Sequence, residues 1–353
     1  MSGTGAPRRA VFAPVAIAGL VGAPHSVDGL WRQPYAKREP ELYSFWKAMT
    51  QGTSEVAPTL LRNAPRPGSL PHPPERKTKE RDDLPRHFRL VQRHGEASHN
   101  WSGAVVPAVS GRRFTRVAAR WRVPKLPGKP HVGESDAMVS IWIGLGGWLQ
   151  WSDSMPQMGS EHGWDDNGKP VHRLWCQWWQ GKNNDDGWLS WIVDGLVIKP
   201  GNEILCHLAL IEDNVVECYF LNRDTKELAG VLGTGSRPVV GSTAEWVVEQ
   251  PMRVEFAPGA GNVLVNGYSG VRGGGAVAPQ LRPVGPHPLP EFKTVILRDC
   301  AARLGNDGDF RRRTLADADP ITLFTRRPPG SVRMLRATIS KEIAPRTLTV
   351  ARR

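Results

Sequence analysis

Apolar and polar positions alternate with a period of two in short runs along the chain from about residue 100 onward. Such alternation is typical of strands, in which successive side chains point to opposite faces of a sheet. It predicts ten strands, at residues 101–106, 116–123, 138–143, 173–179, 189–193, 203–210, 215–221, 245–248, 262–265 and 292–297. So many short strands, separated by turn residues, predict an all-β fold, an antiparallel double-sheet β-sandwich.

The first 94 residues follow a different pattern, which predicts a mostly irregular N-terminal extension. A helix is predicted only at 40–50, and residues 62–86 form a Pro-rich, charged linker. The net charge of the chain is +12, and residues 1–94 hold 15 Lys and Arg against 8 Asp and Glu, or +7. These basic residues are interleaved with Pro and acidic residues instead of forming an aromatic-lined patch, so we do not expect a nucleic-acid partner.

The N-terminus fits a secretory leader over residues 1–23, since two arginines precede an apolar stretch with small residues. A flexible apolar N-terminus is the alternative. No apolar run reaches the length of about 20 residues that a membrane-spanning helix needs, so no membrane span is predicted. Cys206 and Cys218 are expected to face each other across a hairpin, either as a disulfide, which would suit secretion, or as buried free thiols.

Two separated polar residues carry the candidate chemistry. Gln157 lies in residues 155–159 (MPQMG) and Glu245 in residues 244–249 (AEWVVE). A carboxylate that activates a water, next to an amide that stabilises an oxyanion, can hydrolyse an acyl bond without a nucleophilic side chain. The sequence contains no zinc-protease His-Glu-x-x-His, Cys-x-x-Cys or Gly-x-Ser-x-Gly motif, so we predict neither a metal nor a cofactor.

Five segments, in this order, resemble the glutamic peptidases, also called eqolisins. They are residues 100–105 (NWSGAV), 119–124 (ARWRVP), 141–144 (IWIG) and the two segments that hold Gln157 and Glu245. The resemblance extends over about residues 100–326. It implies a concanavalin-like jelly roll and an acid endopeptidase, with Glu245 as general base and Gln157 as oxyanion stabiliser.

The resemblance also implies a substrate groove for a polypeptide. Its expected lining is Trp101, Trp142, Glu161, Trp175 and Gln177. Two positions depart from the family pattern, because Gly146 and Gln177 stand where relatives carry carboxylates. Since a neighbouring carboxylate raises the pKa of a catalytic Glu, these departures are expected to shift the working pH.

The expected organisation is a leader and propeptide of a zymogen over residues 1–94, a monomeric catalytic domain over 95–345 and a basic tail over 346–353. Eleven of the 14 tryptophans fall between residues 101 and 191. They suit either a sandwich core with a groove or a surface that stacks on sugar rings. A carbohydrate-binding sandwich is therefore the alternative, a glycosidase using Glu161 and Glu245 is another, and a family member that has lost catalysis is a third.

Overall fold

The structure is a computed structural model. It describes residues 11–15, 37, 43, 46–47, 49–62, 96–98, 100–108, 112–127, 137–148, 154–165, 168–180, 190–256, 281–292, 294–305, 311–313, 315, 318–327, 331–339 and 347–352.

Strands make up most of the described chain. They are β1 (Val11–Val15), β2 (Ser54–Glu55), β3 (Thr59–Arg62), β4 (Glu96–Ser98), β5 (Trp101–Pro107), β6 (Arg113–Arg122), β7 (Met138–Leu145), β8 (Met155–Trp164), β9 (Pro170–Trp179), β10 (Trp191–Asp194), β11 (Glu203–Glu212), β12 (Val215–Asn222), β13 (Glu227–Thr234), β14 (Thr243–Glu249), β15 (Met252–Phe256), β16 (Leu281–Pro286), β17 (Thr294–Gly305), β18 (Arg311–Arg313), β19 (Asp319–Arg327), β20 (Ser331–Ile339) and β21 (Leu348–Arg352).

The strands form two facing layers. The first layer, called the site sheet below, has the order β3-β10-β9-β8-β7-β14-β5, and the second layer, the back sheet, has the order β17-β6-β11-β12-β13-β1. All of these pairings are antiparallel. Strands β19, β20 and β21 pair in series from β5 to β17 and so join the two layers. The predicted antiparallel β-sandwich is confirmed.

The main hydrophobic core lies between the layers. Strand β9 contributes side chains both to this core and to the opposite face of the site sheet. Cys176 and Trp178 belong to the core between the layers. Trp175 and Trp179 belong to a second apolar cluster on the opposite face of the site sheet. Strand alternation produces this division, with tryptophans on both faces of β9.

Nine of the ten predicted strands overlap observed ones, and residues 262–265 lie outside the described residues. The described residues of the predicted helix at 40–50 are helical.

Strand β8, which carries Gln157, was not predicted, because Pro156, Gly159 and Gly163 are typical of loops. The contacts explain the glycines: a Cβ on Gly159 would lie 2.2 Å from the Ile141 carbonyl oxygen.

The prediction that Cys206 and Cys218 face each other is wrong. Strands β11 and β12 do form the predicted hairpin, but Cys206 pairs with Phe220 and Cys218 with Leu208. The turn and a bulge after Leu210 set this register, so the two cysteines are diagonal neighbours. Both are buried free thiols.

Both ends of the chain contribute strands to the sandwich. Strand β1, inside the segment predicted as a leader, pairs with β13, and its Phe12 is buried in the main core. Strand β3 extends the site sheet beside β10. The segment expected as a basic tail supplies β21, whose Leu348 and Val350 are buried. Within the described part of the chain, no helix has the length and apolar character of a membrane span.

Candidate active site

Glu245 and Gln157 lie in one row across the site sheet. Glu245 on β14 pairs with Gly144 on β7, Gly144 pairs with Gln157 on β8, and Gln157 pairs with Gln177 on β9. Residues that are directly opposite in antiparallel strands point to the same face. The row therefore places one carboxylate and two amides on one face of the sheet, opposite the main core.

A glycine separates the two predicted catalytic residues. Neighbouring strands lie about 4.8 Å apart, so the backbones of Glu245 and Gln157 are separated by roughly 10 Å. Gly144 leaves this interval without a side chain. A Cβ there would lie 3.0 Å from Trp142 Cζ3 and 3.4 Å from Gln157 Cβ, which is close enough to narrow the gap. The gap is where a small group could reach both side chains.

The Glu245 side chain is held on one oxygen only. It is fully buried, and its Oε1 accepts hydrogen bonds from the Gly147 backbone N–H at 2.9 Å and from the Thr243 hydroxyl. Its Oε2 has no hydrogen-bond partner among the described residues. One carboxylate oxygen thus orients the group, while the other remains able to accept a proton.

Burial controls the acidity of Glu245. Loss of hydration raises its pKa from 4.5 to about 7, because a buried carboxylate is less stable than the neutral acid. The hydrogen bonds from Thr243 and from the backbone N–H groups of Gly147, Trp148 and Gly146 oppose this rise. A pKa near neutrality suits a group that takes and returns a proton.

Backbone N–H groups of Gly146 and Gly147 bind Glu245. Position 146 is one of the two positions that depart from the family pattern. Gly146 has a φ of +83°, a left-handed conformation that favours glycine. A Cβ on Gly147 would lie 1.9 Å from Met155 Sδ, so a side chain at this position would require Met155 to move. In this chain, backbone N–H groups therefore approach Glu245 where relatives are expected to place a negative charge.

Gln177, the second residue that departs from the family pattern, orients Gln157. Gln157 is fully buried, and its Nε2 donates a hydrogen bond of 2.6 Å to Oε1 of Gln177. Its Oε1 has no partner among the described residues. Gln177, predicted to bind substrate, therefore contacts Gln157 directly.

The three tryptophans predicted to line a groove lie on the same face as the row. Trp101, Trp142 and Trp175 are all buried and belong to one apolar cluster. The rings of Trp101 and Trp142 meet edge to face, with centroids 4.7 Å apart. The indole N–H of Trp175 donates to Ser140 Oγ at 3.1 Å. The polar row is thus bordered by an apolar, aromatic layer that lowers the local dielectric constant.

Glu161 also lies on this face, but its charge is compensated. It is 3% exposed and pairs with Arg173, directly opposite on β9. Register places Glu161 opposite Ser140 and not in the row of Glu245. Glu245 is therefore the one carboxylate in its row, and the residues paired with it there, Gly144, Gln157 and Gln177, carry no charge.

The chemistry available in this row is acid–base chemistry. Among the described residues, no group of three or more His, Cys, Asp or Glu side chains is arranged to hold a metal ion. Glu245 can exchange a proton through Oε2, and the Gln157 amide can both accept and donate hydrogen bonds. This combination can activate a water and stabilise a developing negative charge.

This chain is similar to a known protein family and to several solved structures. The model of the Peptidase A4 family matches residues 99–326. No curated protein matches. Among solved structures, scytalidoglutamic peptidase with a transition state analog inhibitor is 19% identical, covering 72% of this chain and 98% of that one, with a TM-score of 0.49. Aspergilloglutamic peptidase from Aspergillus niger is 16% identical, covering 61% of this chain and 98% of that one, with a TM-score of 0.41. The family match spans more than half of the chain and confirms the resemblance seen in the motifs, so this chain belongs to the Peptidase A4 family.

Proposed function

We propose that this protein is an endopeptidase that hydrolyses peptide bonds with a water activated by Glu245 and an oxyanion stabilised by Gln157. One observation carries the proposal. Glu245 Oε2 and Gln157 Oε1 are buried acceptors without partners among the described residues, and they belong to side chains separated only by Gly144. A single water can donate one hydrogen bond to each of two such oxygens.

The steps follow from the hydrogen-bonding capacity of these groups. Ionised Glu245 takes a proton from the water as its oxygen attacks the scissile carbonyl carbon. The second N–H of the Gln157 amide, which Gln177 does not use, donates to the resulting oxyanion. Protonated Glu245 then gives its proton to the leaving amine, so that both groups return to their starting states. No covalent intermediate is required.

The carbohydrate-binding alternative has less support. Stacking on a sugar ring would use the aromatic faces alone, so it leaves the buried, unpaired acceptors Glu245 Oε2 and Gln157 Oε1 without a role. A glycosidase pair of Glu161 and Glu245 is also disfavoured, because Glu161 is held by Arg173. Acid activity, secretion, zymogen processing and action as a monomer stay predictions from the sequence.

The test is cleavage of a denatured protein by the purified full chain between pH 3 and pH 9. We expect cleavage that is insensitive to serine, cysteine and metal-directed inhibitors, and that Glu245→Gln and Gln157→Ala abolish. Glu217→Gln is the matched control, since Glu217 is a buried carboxylate of the back sheet. Cleavage by both site variants at the wild-type rate would refute the assignment, and a folded wild type without activity would favour a member that has lost catalysis.

A further inference from the structure

A second buried carboxylate, Glu249, lies on the same strand and face as Glu245. The two are four residues apart on β14, so strand alternation points them to the same side of the site sheet. Glu249 pairs with Trp101 on β5 and with Ser140 on β7. It is fully buried, and a carboxylate in such a place is strongly destabilising unless donors satisfy it.

Both oxygens of Glu249 accept hydrogen bonds. Oε1 accepts from Asn100 Nδ2 at 3.0 Å, and Oε2 accepts from the Trp142 indole Nε1 at 2.7 Å. An indole has one N–H and no acceptor. The bond to Glu249 therefore uses the whole hydrogen-bonding capacity of the Trp142 side chain and fixes the rotation of its ring.

Trp142 connects Glu249 to the gap between Glu245 and Gln157. Its Nε1 lies on the edge of the indole that faces Glu249, and Cζ3 lies on the opposite edge. A Cβ on Gly144 would lie 3.0 Å from that Cζ3, so the far edge of the ring borders the gap. Rotation of the indole would change the shape of the gap.

We propose that Glu249 is a positioning residue for the peptidase reaction: it holds the Trp142 indole so that the gap at Gly144 keeps the width in which water and scissile bond are aligned. The inference rests on the proposed function. Asn100 holds the other oxygen of Glu249 and so fixes the carboxylate plane. Glu249 acts through Trp142 and does not itself exchange a proton with the substrate.

The expected effect is mainly on the chemical step. A displacement of about 1 Å in a reacting geometry costs up to roughly 100-fold in rate. We expect Glu249→Gln to lower kcat by about 10- to 100-fold with KM changed by less than about twofold, since alignment matters most in the transition state. Glutamine has a neutral oxygen and an N–H2 in place of the two carboxylate oxygens, so the hydrogen bond to the Trp142 indole loses its charge assistance and Asn100 must turn its amide to keep a bond.

The experiment measures kcat, KM and the indole ¹⁵N–¹H resonance of Trp142 in the full chain, the resonance being assigned with Trp142→Phe. Glu249→Gln is expected to move this resonance and lower kcat, whereas Glu217→Gln changes neither. Trp142→Phe keeps an aromatic ring without the N–H, so the double variant should be no slower than Trp142→Phe alone.

The outcomes separate the two proposals. An active wild type whose Trp142 resonance does not move in Glu249→Gln, or whose kcat does not fall, would overturn the role of Glu249 alone. Additive losses in the double variant would overturn action through Trp142. A wild type without peptidase activity would overturn the proposed function and the catalytic role of Glu249 together, even with a Trp142 resonance that depends on Glu249.

Discussion

Glu245 and Gln157 lie in the same row of the site sheet with only Gly144 between them. Two buried polar side chains are thus aligned across three strands by backbone pairing. The backbone hydrogen bonds of β14, β7 and β8 fix this alignment, so it does not depend on a mobile loop. The position between them has no side chain, and this makes Gly144 the most direct test of the arrangement.

Gly144→Ala is expected to lower kcat/KM by at least tenfold while the protein still folds. The added methyl would lie 3.0 Å from Trp142 Cζ3 and 3.3 Å from the Pro156 carbonyl oxygen, so it occupies the gap at the cost of small shifts. Such overpacking costs about 1–3 kcal/mol of stability. Peptide cleavage and thermal unfolding measured on the same preparation separate the two effects. Wild-type kcat/KM in a folded variant would contradict the location of the reaction.

The sequence was sufficient for the fold class and for part of the site. Alternation predicted a strand at residues 173–179, and β9 lies there with tryptophans on both of its faces. Strand β8 was not predicted, because Pro and Gly are poor strand formers. Gly159 is needed because a side chain there would clash with the Ile141 carbonyl oxygen, and this contact is seen only in the structure. Register between distant strands is a tertiary property, so neither the row of Glu245 nor the offset of Cys206 and Cys218 could be derived from one sequence.

The pH dependence of activity should reflect the buried state of Glu245. Burial raises its pKa to about 7, and only the ionised form can take a proton from water. We therefore expect kcat/KM to fall about tenfold per pH unit below this pKa, in contrast to the acid activity expected from the family resemblance. A profile of kcat/KM measured from pH 3 to pH 9 distinguishes these two expectations. An optimum at pH 3–5 would show that Glu245 is solvated in the working enzyme.

The pH dependence of the free energy of unfolding tests the raised pKa of Glu245 without an activity assay. A carboxyl whose pKa is higher in the folded than in the unfolded state contributes stability that is complete below pH 4.5 and is lost as the pH rises through about 7. Glu245→Gln should thus be more stable than the wild type at pH 8, by about 3 kcal/mol, and similar at pH 4. Urea unfolding at the two pH values measures the difference. Equal stabilities at pH 8 would contradict the raised pKa.

Gln177 should control how Gln157 presents its amide. Gln177→Leu removes the acceptor of the 2.6 Å hydrogen bond, and we expect about tenfold lower kcat because the Gln157 amide can then rotate. Gln177→Glu keeps an acceptor but adds a negative charge to the row, so activity should persist with its acidic limb moved to higher pH. Gln180→Leu is the matched control, as Gln180 is equally buried but contacts Ser236. A pH profile unchanged in Gln177→Glu would argue against electrostatic coupling to Glu245.

The N-terminal extension is expected to stabilise the folded enzyme. Phe12 on β1 is 4% exposed and lies in the main core, whereas its neighbour Val11 is 55% exposed. Phe12→Ala should therefore cost about 3–5 kcal/mol, and Val11→Ala should change stability by less than about 0.5 kcal/mol. Deleting residues 1–62 should lower Tm further, because it removes β1 and β3 and leaves the edges of β13 and β10 unpaired. Thermal unfolding of the three variants measures these effects. A removable propeptide predicts the opposite result: the deletion would raise activity without lowering Tm, and Phe12→Ala would match Val11→Ala.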